Sequence, residues 1–192
     1  QAALAAQRAV ASSSARPRPP AGGRRSAQTL GLGSSTVLTI APLARHRELV
    51  PLLSQWLIEE WPEWYGQGGR GSAAEDLAAF AASESSLPVG LVAFNESTPV
   101  GLAALKPESL PSHRHLKPWA AAGLVLQPHR GKGVGARLLQ ALVHQAFKLG
   151  YEHIYCATAT SASLLRRSGW QQLEVTQHEG ESLVIFAKET EA

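Results

Sequence analysis

The stretch LVLQPHRGKGVGARLL, residues 124–139, constrains this chain more than any other. Its apolar front end continues residues 119–126, an unbroken hydrophobic run of the kind that forms a central strand covered on both faces. Its back end carries Val134, Leu138, Leu142, Ala146 and Leu149 at helical spacing, closed by Gly150, which predicts an amphipathic helix over 133–149. Between the two stand Gly131, Gly133 and Gly135. A plain strand-to-helix turn needs one glycine. Three at alternate positions let the backbone approach a ligand, while the first-turn N–H groups, lacking partners inside the helix, point at it. Arg130 and Lys132 add positive charge there, so the expected guest is an anion of the pyrophosphate type.

The flanking segments give a regular order. Residues 36–40 alternate β-branched and apolar side chains as a strand, and 44–60 carry Leu49, Leu52, Leu53, Trp56 and Leu57 at helical spacing. The stretch WPEWYGQGGRG, 61–71, is rich in breakers and reads as a loop. Ser72 and Glu75 then form the S-x-x-E box that opens a second helix reaching about Ser83. Residues 89–95 and 100–105 form a hairpin about the turn residues between them, and 106–118 are a polar loop. After the glycine-led helix come a strand over 152–157, a short helix over 161–167 ended by Gly169, and closing strands over 170–176 and 181–188. The order β-α-α-β-β-β-α-β-α-β-β describes one α/β domain over residues 36–192, without internal repeats.

Charge separates this domain from what precedes it. Residues 1–35 hold five arginines and no acid, whereas 36–192 hold 13 basic and 15 acidic residues, so the basic balance belongs to the extension. A domain with net negative charge is a poor nucleic-acid binder, and none is expected as a partner. The Ala-, Ser-, Arg- and Pro-rich extension is expected to be disordered. Its Arg- and Ser-rich, acid-free composition also matches a transit peptide, which implies a chloroplast or mitochondrion; without that role the expected place is the cytoplasm. No run of 18 apolar residues exists, so a soluble protein with no membrane partner is expected. The single Cys156 forms no internal disulfide, and His113 with His115 lack a third ligand, so no metal is expected.

Two nucleotide readings compete for the glycines. Residues 131–136 satisfy G-x-G-x-x-G/A, but Pro128 separates them from the strand, and Glu152 opens its strand instead of ending it, which weakens a nicotinamide dinucleotide site. The phosphate-loop pattern G-x-x-x-x-G-K-[ST] is absent. The run from Leu126 to Gly135 resembles motif A of the GNAT superfamily of acyl-CoA-dependent N-acetyltransferases, [QR]-x-x-G-x-[GA]. LLRRSGW, 164–170, resembles its motif B, [FL]-Y-x-x-x-G-[FW]. The resemblance implies a mixed, mostly antiparallel twisted sheet of about seven strands flanked by about four helices. It also implies an acyltransferase that moves acetyl from acetyl-CoA, the co-substrate, to an amine of a small molecule or peptide by direct attack. By the same resemblance, N–H groups around Arg130, Gly131, Lys132, Gly133, Val134, Gly135 and Ala136 hold the CoA pyrophosphate. Leu124, Val125 and Leu126 pair with the pantetheine arm, a backbone N–H near Leu126 meets the oxyanion, and Ser161 and Ser163 touch the CoA arm; a helix N-cap is the equal alternative for Ser161.

One position departs from the family: motif B's tyrosine, which protonates the leaving thiolate, is Leu165 here. A thiolate leaves far more readily than an alkoxide, so the loss slows transfer without forbidding it, and a CoA-binding module with weak or lost catalysis is the alternative reading. Tyr155, Tyr151 and Tyr65 are the substitutes for the acid. For the base the candidates are Glu60, Glu63, Glu96, Glu108, His113 and His115. Trp61, Pro62, Trp64 and Tyr65 form an aromatic cluster that in this superfamily walls the acceptor cleft, with ordinary packing against the sheet as the equal alternative, and Glu59, Glu60 and Glu63 beside it favour a cationic acceptor. Cys156, within a strand, is expected to be buried and inert. The acceptor's identity and a homodimer stay open.

Overall fold

The computed structural model describes residues 37–191; the basic extension, with its expected disorder and transit role, lies outside the described residues. Seven strands form one sheet: β1 (Leu38–Pro42), β2 (Val89–Asn95), β3 (Thr98–Lys106), β4 (Trp119–Val125), β5 (His153–Thr158), β6 (Gln171–His178) and β7 (Glu181–Glu189), in the order β1-β2-β3-β4-β5-β7-β6. All neighbours are antiparallel except β4 and β5. A parallel pair needs a long crossover. Helix α4 (Val134–Lys148), the one predicted to follow the glycines, supplies it. Its C-terminus closes as expected, with the Gly150 N–H on the Phe147 carbonyl and the Tyr151 N–H on that of Ala146, a Schellman pair.

The helices before β2 differ from the periodicity in two places. The amphipathic pattern over 44–60 resolves into two 3-10 turns and then α1 (Val50–Glu60), because His46 adopts an extended-like φ of −134° that breaks the run, and Pro51 suits only a first turn. The stretch predicted as a loop from residue 61 begins instead with one helical turn, α2 (Pro62–Tyr65), since Pro62 stands at its start and the breaking glycines begin only at Gly66. Helix α3 (Ala73–Phe80) opens as expected, the Ser72 hydroxyl accepting from the Glu75 N–H at 3.3 Å, and ends before Ala81 instead of near Ser83.

Side chains alternate across the sheet and divide the core in two. On one face Val92, Phe94, Leu102, Ala104, Ala121 and Leu124 pack under α1, α2 and α3. On the other, Leu91, Ala93, Ala103, Ala120, Ile154 and Cys156 pack against Leu138, Leu142 and Ala146 of α4, and against Leu165 of α5 (Ala162–Arg167). A smaller cluster, Leu110, Trp119, Ala157, Leu183 and Ile185, lies under the loop between β3 and β4. Strand β4 is therefore the covered central strand that its composition predicts.

Candidate functional site

Strands β4 and β5 meet at a single register pair, Trp119 with Tyr155, where the Tyr155 N–H reaches the Pro118 carbonyl at 3.0 Å. Beyond it β5 follows β7 over six residue pairs while β4 follows β3, so a wedge opens between the two central strands. A bulge in β4 at Ala122 and Gly123, with Ala122 at φ 51°, bends the strand away and widens that wedge. The free edge of β4 can then be counted. The Leu126 N–H is donated to the Val100 carbonyl at 3.0 Å. Bonded and non-bonded pairs alternate in an antiparallel ladder, so Leu124 also faces β3, and Val125, opposite Gly101, turns its N–H toward the wedge. Of the three residues expected to pair with a ligand arm, Val125 alone turns its N–H to the wedge; the Leu126 N–H is committed to β3, so of the N–H groups near Leu126 it is that of Val125 that faces the gap.

The wedge leads to the glycine turn. Gly131 and Gly133 have φ of 73° and 83°, with open space where a side chain would stand, so backbone conformation and not crowding requires glycine there. Gly135 is different. Its φ is ordinary, and a Cβ would lie 3.4 Å from Leu164 Cδ2 and 4.0 Å from Val125 Cγ2, between β4 and α5. Gly133 caps α4 with no side-chain bond, and the first helical bond is that of the Arg137 N–H. The N–H groups of Val134, Gly135 and Ala136 therefore have no carbonyl one turn back and face outward, with Lys132 exposed beside them.

Arg130, expected at this anion site, has its side chain engaged within the protein. Its own N–H bonds the Gln127 carbonyl at 3.2 Å. Its Nε donates to the Val125 carbonyl at 2.7 Å, and its guanidinium holds Gln127 Oε1 and both oxygens of Glu60, at 2.9 and 3.1 Å. Arg130 thus ties the end of β4 to the end of α1, and Glu60, a candidate base, is occupied as its partner.

The remaining candidates separate in the same way. Ser161 precedes α5, but its hydroxyl makes no cap; Oγ is fully buried without a hydrogen-bond partner. Ser163 is exposed. Leu165 is 0% exposed in the core beneath α4, and Tyr155, half-buried at the root of the wedge, lies 5.8 Å from the Trp119 ring. Tyr151 lies at the far end of α4, away from the wedge. Tyr65 donates to Asp76 at 2.6 Å, and burial together with that carboxylate raises its pKa and holds it protonated. Glu63 and Glu108 are exposed, and Glu96 lies in the β2–β3 turn at φ 57°. His113 is buried, with Nε2 2.9 Å from Glu174 and Nδ1 2.8 Å from the Ser112 hydroxyl; exposed His115 lies 6.0 Å away. Burial pushes the Cys156 thiol up to about 12, in keeping with an inert residue. Among the described residues no three His, Cys, Asp or Glu side chains converge as a metal site, and no helix is long and apolar enough to cross a membrane.

Sequence reasoning missed Asp76, Glu174, Arg70 and Glu179. Arg70 reaches Glu179 at 3.1 Å across 109 residues, and lies 5.0 Å over the Trp64 ring. Such partners carry no local signal.

The model of the acetyltransferase (GNAT) family matches residues 50–170. Among solved structures, an aminoglycoside 6′-N-acetyltransferase complexed with coenzyme A is 16% identical, covering 79% of this chain and 96% of its own at a TM-score of 0.63. The aminoglycoside 6′-N-acetyltransferase from Enterococcus faecium gives 17%, 79%, 96% and 0.63. YncA from Salmonella typhimurium, with its cofactor acetyl-CoA, gives 18%, 79%, 93% and 0.56. At these identities the likeness is one of fold. No curated protein matches the chain. With the family model spanning both the glycine turn and the segment that closes at Trp170, on a sheet parted between β4 and β5, the chain belongs to the GNAT acetyltransferase family.

Proposed function

We propose that residues 36–192 form an acetyl-CoA-dependent N-acetyltransferase that moves acetyl directly to an amine. The observation that carries this reading is the wedge between β4 and β5, which ends at an exposed helix N-terminus reached through two positive-φ glycines. N–H groups of Gly131 to Ala136 and the Lys132 ammonium hold the pyrophosphate. The wedge-facing N–H of Val125 bonds the pantetheine arm as a neighbouring strand would. The buried Ser161 Oγ, without a partner in the protein, fits a polar group of that arm. The thioester supplies an activated acyl group with a good leaving thiolate, and the protein's part is to hold it where an amine can reach it.

A CoA-binding module with little turnover is the second reading, favoured by Leu165. That side chain is sealed in the core, so no hydroxyl from this position reaches a thiolate. A calorimetric titration of the whole chain with acetyl-CoA, with NADH as control, followed by assay of CoA release across an amine panel, tests both. Saturable acetyl-CoA binding with CoA release supports the enzyme, and binding without release the module. NADH binding in its place overturns both.

A further inference from the structure

Three polar clusters line the face of the sheet that carries α1 to α3: Tyr65 with Asp76, His113 with Glu174, and Arg70 with Glu179 and Trp64. The last of these spans the wedge. Arg70 comes from the segment between α2 and α3, which pack over β2, β3 and β4. Glu179 comes from the turn joining β6 to β7, on the β5 side of the gap. Their contact therefore crosses the opening between β4 and β5.

The Arg70 side of the contact is built by close backbone approach. The Gly71 N–H bonds the Trp64 carbonyl at 2.9 Å, and the Gly69 N–H bonds that of Gly66. A Cβ on Gly69 would lie 2.2 Å from the Trp64 carbonyl oxygen, and one on Gly71 would lie 2.1 Å from Trp64 Nε1. Only glycine at both positions lets the loop fold back against the indole, and Arg70, between them, is laid over the ring face. On the other side Glu179 and Gly180 form a two-residue hairpin turn with φ of 48° and 82°. The first of these positions ordinarily takes Asn, Asp or Gly, and here it holds a longer carboxylate side chain aimed across the gap.

An aromatic face beside a carboxylate is the standard chemistry for seating an organic cation. The Arg70 side chain is 59% exposed, and exposed pairs of this kind add little net stability, so another cation can take its place. We propose that Trp64 and Glu179 form a cation seat at the acceptor side of the wedge, held in the free protein by Arg70 and taken by a second, non-reacting ammonium or guanidinium of the acceptor. The inference rests on the acetyltransferase reading for the identity of the reacting amine, and it replaces Glu60, which is paired with Arg130, as the source of preference for cationic acceptors.

Calorimetry on the whole chain tests it with 1,4-diaminobutane, which carries the cations, against 1-butanol, which carries none. Arg70→Ala, with Arg70→Gln as a second variant, is expected to bind the diamine at least fivefold more tightly than the native chain. Adding Glu179→Gln is expected to remove that gain, while the 1-butanol response changes less than twofold throughout. The seat is overturned if vacating Arg70 leaves diamine binding unchanged or weaker, if the gain survives Glu179→Gln, or if no sample binds the diamine. Acetyl-CoA is titrated into the same samples, so the two proposals fail separately. The expected diamine pattern without acetyl-CoA binding keeps the seat and removes the transferase, and the converse removes only the seat.

Discussion

The two sides of the β4–β5 wedge are built by different means. The glycine-turn side is backbone: consecutive residues 125–136, two positive-φ glycines and the open end of α4. The opposite side is side chains that meet from afar, Arg70 with Glu179 across 109 residues and His113 with Glu174 across 61. A backbone site tolerates many side chains but few conformations, whereas a side-chain site tolerates loop changes only if both partners keep their place. Substitutions on the two sides should therefore fail in different ways.

The largest effect is expected at Gly133. A valine there must adopt a φ of 83°, which β-branched residues avoid, and the turn that presents the first-turn N–H groups is lost. Acetyl-CoA affinity is expected to fall about a hundredfold, about 2.7 kcal/mol. Gly150→Val is the matched control. Its φ is 84° at the other end of the same helix, so it lowers the melting temperature to a similar degree and leaves acetyl-CoA affinity within twofold. Equal losses of affinity in both variants, by calorimetry, would mean that the turn acts only through stability.

Arg130→Ala comes next, because it distinguishes a brace from a ligand. The side chain spans the Val125 carbonyl and Glu60, so its removal frees the end of β4 and leaves a half-buried carboxylate unpaired, at about 1–3 kcal/mol. The melting temperature should drop, and acetyl-CoA affinity about five- to tenfold, with the slope of affinity against salt unchanged. A shallower salt slope would place the guanidinium on a phosphate instead. Glu60→Gln should reproduce the melting change.

This contrast also explains what the sequence disclosed. All seven strands and the glycine-led helix were legible because alternation, continuous burial and caps are local signals, and the glycine turn was legible because its three glycines stand at alternate positions of one short segment. The pairing of Arg130 with Glu60 was not, since the two stand 70 residues apart in the chain. Helix α2 was hidden by the glycines after it. Which N–H near Leu126 faces the wedge was not legible, because the ladder phase depends on the β4 bulge, which no residue type announces.

Ser161→Ala gives a smaller effect with a split sign. The buried hydroxyl has no partner in the protein, so its loss should leave the free protein as stable or up to about 1 kcal/mol more stable. If the hydroxyl meets the CoA arm, acetyl-CoA affinity falls about three- to tenfold in the same variant. A loss of stability with unchanged affinity would return Ser161 to a purely structural role.

The last comparison sets the two faces of the sheet against each other through pH. Cys156 belongs to the α4 face and Tyr65 to the face under α1 to α3. Burial raises the thiol from 9.0 to about 12, and burial with Asp76 raises the phenol above its usual 10.0. In both cases the folded pKa is the higher one, so the unfolded chain ionises first and proton loss pulls toward unfolding. Stability is thus complete below the unfolded value and declines as pH rises through the window, by about 1.4 kcal/mol per unit for one group. Urea unfolding of the native chain should weaken from about pH 9 for the thiol, with the phenol adding its share from about pH 10. Cys156→Ala removes the first part of the decline and Tyr65→Phe the second, and the slopes are the readout because each variant also changes packing at pH 8. If Cys156→Ala leaves the slope between pH 9 and 10 as steep as in the native chain, the thiol is reached by water, and the α4 face is more open than its packing implies.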